Sequence, residues 1–268
     1  MSQILIGSDP EVILTKNGSP FSSVGLLGGT KTHPRKSTHG WIQEDNVLAE
    51  YNIEPAATAE EFINNHLLVL RDLTDIIKPL GLEYAVKASA LYASDQLLTL
   101  QAITAGCEPD YDAWNLTVNS PPPIGFSNLR SAGGHLHVSF PITDEDDDRI
   151  NLVRTMDILL GVPSVLMDED LERRKLYGKA GAHRPKYKEE GHPYDGVEYR
   201  TLSNFWLSSE KLMAWAFNQT VKAVERMPEF VSLIESDGID VPGIMDCINT
   251  GDKKFAENFC SYYDIEVA

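Results

Sequence analysis

Four short segments of this chain alternate polar and apolar residues with a period of two, and their polar positions are mostly acids, imidazoles and guanidinium groups. In "SAGGHLHVSF", residues 131–140, His135, His137 and Ser139 alternate with Leu136, Val138 and Phe140 behind two glycines. Residues two apart on a β-strand share a face. One face therefore carries two imidazoles and a hydroxyl, the other three apolar side chains. In "SDPEVIL", Asp9 and Glu11 share a face, against Ile4, Ile6, Val12 and Leu14. In "EDNVLAEYNI", Glu44, Asn46, Glu50 and Asn52 fall on one face, interrupted by Leu48, with Val47, Ala49, Tyr51 and Ile53 on the other. In "GVEYRTL", Glu198 and Arg200 oppose Val197, Tyr199 and Thr201.

Solvent-facing strands also alternate, but their polar faces are usually Thr, Lys, Ser and Gln. Gathering carboxylates is electrostatically costly unless a cation neutralises them. Glu11, Glu50 and Glu198 together with His135 supply the hard donors that Mg²⁺ or Mn²⁺ takes. The expectation is a metal–phosphate site shared by four strands.

Between these segments the periodicity predicts helices and an α+β fold with a largely antiparallel sheet. The clearest helix lies over 58–81, opening at Thr58 with Glu60 and Glu61 behind it and closing at Pro79 and Gly81; its apolar face is Phe62, Ile63, Leu67, Leu70, Leu73 and Ile77. A second is expected from Thr143 or Asp144 to about Leu160, a third from Ser208 or Ser209 to about Met227, and a helical tail breaks near Pro242 and Gly251. The acidic run "TDEDDDR" at 143–149 reads as a helix N-terminus, not a metal site. Loops 18–40 and 106–130, rich in Gly, Pro, Ser and Asn, are long enough to suggest binding roles.

A net charge of −17 leaves no basic stripe for nucleic acid and disfavours anionic membranes. Cys107, Cys247 and Cys260 are odd in number and widely spaced, as in a reducing compartment, and are expected in the core. The first apolar run breaks at Gly7, too short for a signal peptide, and no membrane-spanning segment is expected. The expected location is the cytoplasm, or the host cytoplasm if the chain is phage-encoded.

Five blocks, "GSDPE", "QEDNVLAEYNI", "GCEPDYDAW", "RSAGGHLHV" and "YGKAGAHRPK…GVEYRTLSNFW", resemble in order those of the phage-type carboxylate–amine ligases, small relatives of glutamine synthetase and the glutamate–cysteine ligases. The resemblance spans about residues 5–207 and leaves a helical part over about 208–268, within one expected domain. It implies a glutamine synthetase-like catalytic domain with a curved antiparallel sheet and helices on its outer face. It also implies ATP, two or three divalent ions, and phosphorylation of a substrate carboxylate to an acyl phosphate that an amine attacks. The substrates would be a small-molecule or peptide carboxylate and amine. An amino acid or peptide amine is a better acceptor than ammonia, because the glycine loop of ammonia-dependent chemistry has no counterpart in the sequence.

Carried over residue by residue, the resemblance makes Glu11, Glu50, His135 and Glu198 metal ligands. Glu44 either binds metal or sits at the strand's mouth, and Asp9 is either part of the site or a turn residue before Pro10. Arg200, then Arg184 and Arg174, are candidates for stabilising charge on the transferring phosphoryl group, the last two with surface ion pairing as the alternative. His137, Asn52 and Ser139 lie along the polar faces and are assigned to nucleotide or substrate contact, with structural hydrogen bonding as the alternative for His137 and orienting Glu50 as that for Asn52. Lys31, in "GGTKTHPRK" with Arg35 and Lys36, either touches an anionic substrate or sits on a solvated turn. A kinase that stops at phosphoryl transfer, a metal-dependent hydrolase and an inactive binding module are the competing readings.

Overall fold

Two antiparallel sheets meet where the chain passes through Asp9 and Pro10. The computed structural model describes residues 4–103, 109–120, 128–143, 145–188 and 195–268. The chain opens with β1 (Leu5–Ser8), β2 (Glu11–Lys16) and β3 (Ser19–Phe21), then β4 (Arg35–Ser37), β5 (Gly40–Asp45) and β6 (Leu48–Ile53). Helix α1 (Ala59–Ile77) precedes β7 (Glu83–Ala85), β8 (Ser89–Leu91), the short α2 (Leu100–Ile103), β9 (Tyr111–Asp112), β10 (Thr117–Val118), β11 (Leu129–Ser131) and β12 (Leu136–Ser139). Helices α3 (Glu145–Met156), α4 (Val162–Met167) and α5 (Glu172–Leu176) lead to β13 (Ala182–Lys186) and β14 (Gly196–Tyr199). Helices α6 (Glu210–Glu235), α7 (Val241–Thr250) and α8 (Lys253–Tyr262) complete the chain.

One sheet has the order β1-β12-β14-β13-β9-β10; the other runs β3-β2-β6-β5-β4, with β7 also pairing β2. A small β11-β8 ribbon closes the cleft between them. The fold is thus mixed α+β with antiparallel sheets. The seam is stitched by paired amides: Ile6 and Ala56 exchange backbone hydrogen bonds, and Glu11 N–H donates to Gly133 O at 2.9 Å. Apolar side chains on the far faces (Ile6, Val12, Tyr51, Leu136, Val138, Val197, Tyr199) join one core with α1, α3, α4 and α6. Polar positions are thereby turned toward the seam.

Helix α1 starts as its sequence predicts, Thr58 accepting the Glu61 N–H, and ends in a left-handed Gly81 at φ 70°. Its core face is rotated from expectation. Leu67 is 43% exposed, while His66 is fully buried beside Phe62, Val69 and Leu73. Hydrogen bonds justify the imidazole there: Ser8 Oγ lies 3.1 Å from Nε2 and Tyr51 OH 2.9 Å from Nδ1. The ring also meets Trp206 edge to face.

The second predicted helix is longer than expected. Its i→i+5 turn over 157–161 joins α3 to α4, so the run Asp147–Met167 is long and apolar enough to cross a membrane, contrary to the sequence reading. Most of it is inside the fold: Leu152, Val153, Ile158, Leu159 and Leu160 are core residues, so protein covers its apolar surface. The third helix does not stop at Met227 but continues through Pro228, because Phe230 beyond the proline packs into the core. Cys247 and Cys260 are buried free thiols; Cys107 lies outside the described residues.

Burial depresses the pKa of His66 to about 3, so the folded state keeps the imidazole neutral while the unfolded chain protonates near 6.5. Stability from this group is whole above pH 6.5 and lost as pH falls toward 3, about 2 kcal/mol of it by pH 5. Denaturant titrations at pH 7.5 and pH 5 will show His66→Gln losing about 2 kcal/mol less than the parent over that interval.

Candidate active site

Glu11 opens β2 directly opposite Glu50 of β6. Both are buried, and Asp45, at the end of β5, brings a third carboxylate oxygen to the same point: one ligand atom from each of the three lies within 4.8 Å of the others. A second such group is Asp9, His137 and Glu198. Here β12 aligns His137 with Glu198 of β14, which is aligned in turn with Arg184 of β13, so four strands present one polar row ending at Gly7 of β1. Asp9 and Glu11, separated by Pro10, place one acid in each group.

His135 lies between the groups, just ahead of β12, with Nδ1 3.2 Å from Asp9 Oδ1 and 3.7 Å from Glu198 Oε1. The two glycines before it are dictated by crowding. A Cβ at Gly133 would sit 2.3 Å from His135 Nε2, and one at Gly134 would meet Ser203 O at 2.3 Å. Gly133 also donates its N–H to Glu11 Oε2 at 2.6 Å. Trp206 Nε1 holds Gly134 O at 3.1 Å from behind.

The two groups differ in charge balance. Burial, then Asp45, pushes Glu11 up to about 8 against the pull of the Gly133 amide. Burial, then Asp9, Asp45 and Glu11, lifts Glu50 well above its ordinary range. Lys31, whose Nζ lies 2.9 Å from Asp45, pulls the other way on Glu50, and Arg200 and Arg173 do so on Glu11. Burial would raise Glu198 too, but Arg200 and Lys186 hold it well below the usual carboxylate range. Arg200 donates to Glu198 and, through Nε, to Asp110 at 3.2 Å; Lys186 Nζ is 2.8 Å and Arg184 NH1 3.7 Å from Glu198. Burial and then Arg200 keep His135 neutral, its pKa lowered to about 4. A cavity opens against these groups, its other wall formed by Leu129, Arg130, Arg173, Leu176 and Tyr177.

The donor atoms fit divalent cations. Asp9 Oδ1, Glu50 Oε2 and His137 Nε2 are buried without a hydrogen-bond partner, although His137 Nε2 and Asp9 Oδ1 are only 3.1 Å apart. Buried polar atoms are ordinarily satisfied; Asp9 Oδ1 and His137 Nε2 belong to one acid group and Glu50 Oε2 to the other, so each group holds donor atoms that an added cation would satisfy. Carboxylate oxygens with one imidazole suit Mg²⁺ or Mn²⁺.

Several sequence expectations are redistributed: His137, expected at nucleotide or substrate, stands in the acid group where His135 was expected, and His135 lies beside it. Glu44 does not join the acids. The chain reverses at Asn46 (φ 55°), so alternation does not run through "EDNVLAEYNI"; Glu44 pairs with Ala49 on the opposite face and accepts the Gly25 and Leu27 N–H groups. Arg174 points away, donating to Ile248 O at 2.8 Å and Ser164 Oγ, while its neighbour Arg173 lines the cavity. Asn52, opposite Trp41, and Ser139, opposite Gly196, lie one pleat beyond Glu50 and His137 and outside both groups. Asp45, Asp110, Arg173 and Lys186 escaped the sequence reading. For Asp45 the missed signal was the Asn46 turn, which moves the polar face to Gln43, Asp45 and Glu50.

The profile of the phage phiEco32-like COOH.NH2 ligase-type 2 family matches residues 123–242, which include His135, His137, Arg184, Glu198 and Arg200. Two solved structures are similar over nearly the whole chain. A novel glutamine synthase homolog shares 13% identity over 96% of this chain and 64% of its own, with a TM-score of 0.42. Ligand-free GmaS shares 12% over 98% and 69%, with a TM-score of 0.44. The chain spans less than two thirds of the first of these. No curated protein matches.

Because Glu50 is buried opposite Glu11 and near Asp45, Glu50→Gln relieves like-charge repulsion in metal-free buffer at pH 8 and stabilises by about 1 kcal/mol. The parent gains about 2.7 kcal/mol from Mn²⁺ at a hundredfold excess over its dissociation constant. Chemical denaturation with and without Mn²⁺ will show Glu50→Gln gaining less than half of that.

Proposed function

We propose that this chain is an ATP-dependent carbon–nitrogen ligase requiring Mg²⁺ or Mn²⁺, which joins a small-molecule or peptide carboxylate to an amine through an acyl phosphate. One observation carries the reading. Two acid groups with the donors of divalent-cation sites lie next to each other, and Glu198 of the second is ion-paired to Arg184, Lys186 and Arg200. Phosphoryl transfer onto a carboxylate brings two anions together and needs both kinds of group.

Glu11, Asp45 and Glu50 would hold one cation, and Asp9, His137 and Glu198 another, with His135 between them. Such ions would offset phosphate charge and orient the reacting oxygens. Arg200 is fixed by Asp110 and Glu198, so its guanidinium meets developing phosphoryl charge without reorganising. Arg184, 23% exposed along its side chain, is positioned to add a second contact. Leu48, Leu129 and Leu176 line the cavity and limit water near a hydrolysable acyl phosphate. Lys31 and Asn52, beside the first group, and Ser139, beside the second, would contact nucleotide or substrate from its rim. A cytoplasmic setting, which supplies ATP and magnesium, agrees with the buried free thiols Cys247 and Cys260.

A screen of carboxylate and amine pairs, with ADP measured and products read by mass spectrometry, tests this directly. ADP release will require both substrates together, and Glu198→Gln will abolish it. Arg200→Lys will lower kcat by about 10²–10³. A stable phosphorylated substrate formed without amine would mark a kinase, and turnover without nucleotide a hydrolase.

A further inference from the structure

Behind the site lies a buried acid that the reaction does not use. Asp157 is fully buried at the start of the i→i+5 turn between α3 and α4, where Val162 N–H bonds to Asp157 O. Such turns insert an extra residue into a helix and recur at functional sites. Both of its carboxylate oxygens are used. Oδ1 accepts from Tyr199 OH at 2.7 Å and from Thr201 Oγ1 at 3.1 Å, the latter proton being shared with Lys179 O. Oδ2 accepts from Trp114 Nε1 at 2.7 Å and from the Gly181 N–H at 2.5 Å.

These donors come from three separate segments, and each segment delivers charge to the front of the site. Tyr199 and Thr201 flank Arg200, so Asp157 grips the strand on both sides of that guanidinium. Trp114 ends the stretch that begins with Asp110, the acceptor of Arg200 Nε; Asp112, within that stretch, accepts the Trp114 N–H at 2.7 Å. Gly181, in a left-handed conformation at φ 76°, leads into β13 with Arg184 and Lys186. Arg200 N–H itself donates to Ala182 O at 2.9 Å.

We propose that Asp157 is a positioning residue: by tying the Arg200 strand, the Asp110 segment and the start of β13 to one buried carboxylate, it sets the orientation of the Arg200 guanidinium toward Asp110 and Glu198. The consequence for turnover rests on the ligase reading above; the orientation of Arg200 does not. Tyr199, Thr201 and Trp114 act through the same point, and none of them belongs to either acid group.

Asp157→Asn is the informative variant. Its amide oxygen can still accept from the two obligate donors, Trp114 Nε1 and Gly181 N–H, while its NH₂ donates to the two hydroxyls. The fold is kept and the grip loosened. The direct readout is the Arg200 Nε–Hε signal of ¹⁵N-labelled protein, assigned by its loss in Arg200→Lys. In Asp157→Asn this signal will shift and its proton will exchange with solvent about tenfold faster. kcat will fall about tenfold, with KM for the phosphoryl donor changed less than about twofold. Tyr199→Phe, which removes one donor and leaves the carboxylate, will move the same signal in the same direction by less. An Arg200 signal unchanged in both variants overturns the inference, and if Asp157→Asn does not fold, Tyr199→Phe alone decides by the same criterion. Should the parent show no nucleotide turnover, the ligase reading falls while the Arg200 signal still decides the role of Asp157.

Discussion

Glu11 and Glu50 face each other across adjacent strands in a cleft that removes most of their water, and Asp45 adds a third acid. Like charges directly opposed on a sheet repel, and burial amplifies the repulsion. The chain compensates only in part, with the Gly133 amide on Glu11 and Lys31 on Asp45. The remaining deficit is what would make the group receptive to an added cation. On the other side of His135 the balance is reversed, because Glu198 is supplied with Arg200, Lys186 and Arg184. One half of the cleft is therefore short of positive charge, and the other carries more of it on side chains. That division is what a reaction between two anions requires, since oxygens can be drawn toward cations from both directions.

The front of the site is held from the back. His66 joins Ser8, the residue before Asp9, to Tyr51, the residue after Glu50, so one buried imidazole spaces an acid from each group. Trp206 packs on His66 and bonds Gly134 O, which fixes the turn ahead of His135. Asp157 does the corresponding work under Arg200 and β13. Alternation explains the arrangement: neighbours of a site residue on a strand point into the core, and polar groups there grip the backbone without touching the reacting atoms.

Much of the site was legible because period two survives in any strand that buries one face. The rule places Glu11, Glu50, His135, His137, Glu198 and Arg200 on polar strand faces, and the cap places α1, but the roles of these residues come from the family resemblance and the ligand it implies is His135, where the acid group holds His137. The rule failed where the chain turned. Glu44 was read as continuous with Glu50, but the reversal at Asn46 exchanges the faces, removing Glu44 and substituting Asp45. Arg173 and Arg174 sit side by side on a short helix, and no local pattern says which faces the cavity; packing against α7, where Arg174 meets Ile248 O, decides it. His66 and Asp157 gave no signal because a polar residue on an apolar helical stretch looks like an interruption until its partners are known.

By itself the sequence determined the residue types and their pairing along each strand: carboxylates with imidazole on one face, apolar side chains on the other, and a family match over residues 123–242. The strand faces follow from local chain geometry, which is short-ranged. Only the tertiary structure decided that the acids divide into two groups instead of one, and that Asp9 and Asp45 complete them. It also decided that distant residues such as His66 and Asp157 brace them from behind. Those outcomes depend on how two sheets meet at Asp9–Pro10, and on which buried atoms are left without partners once they do.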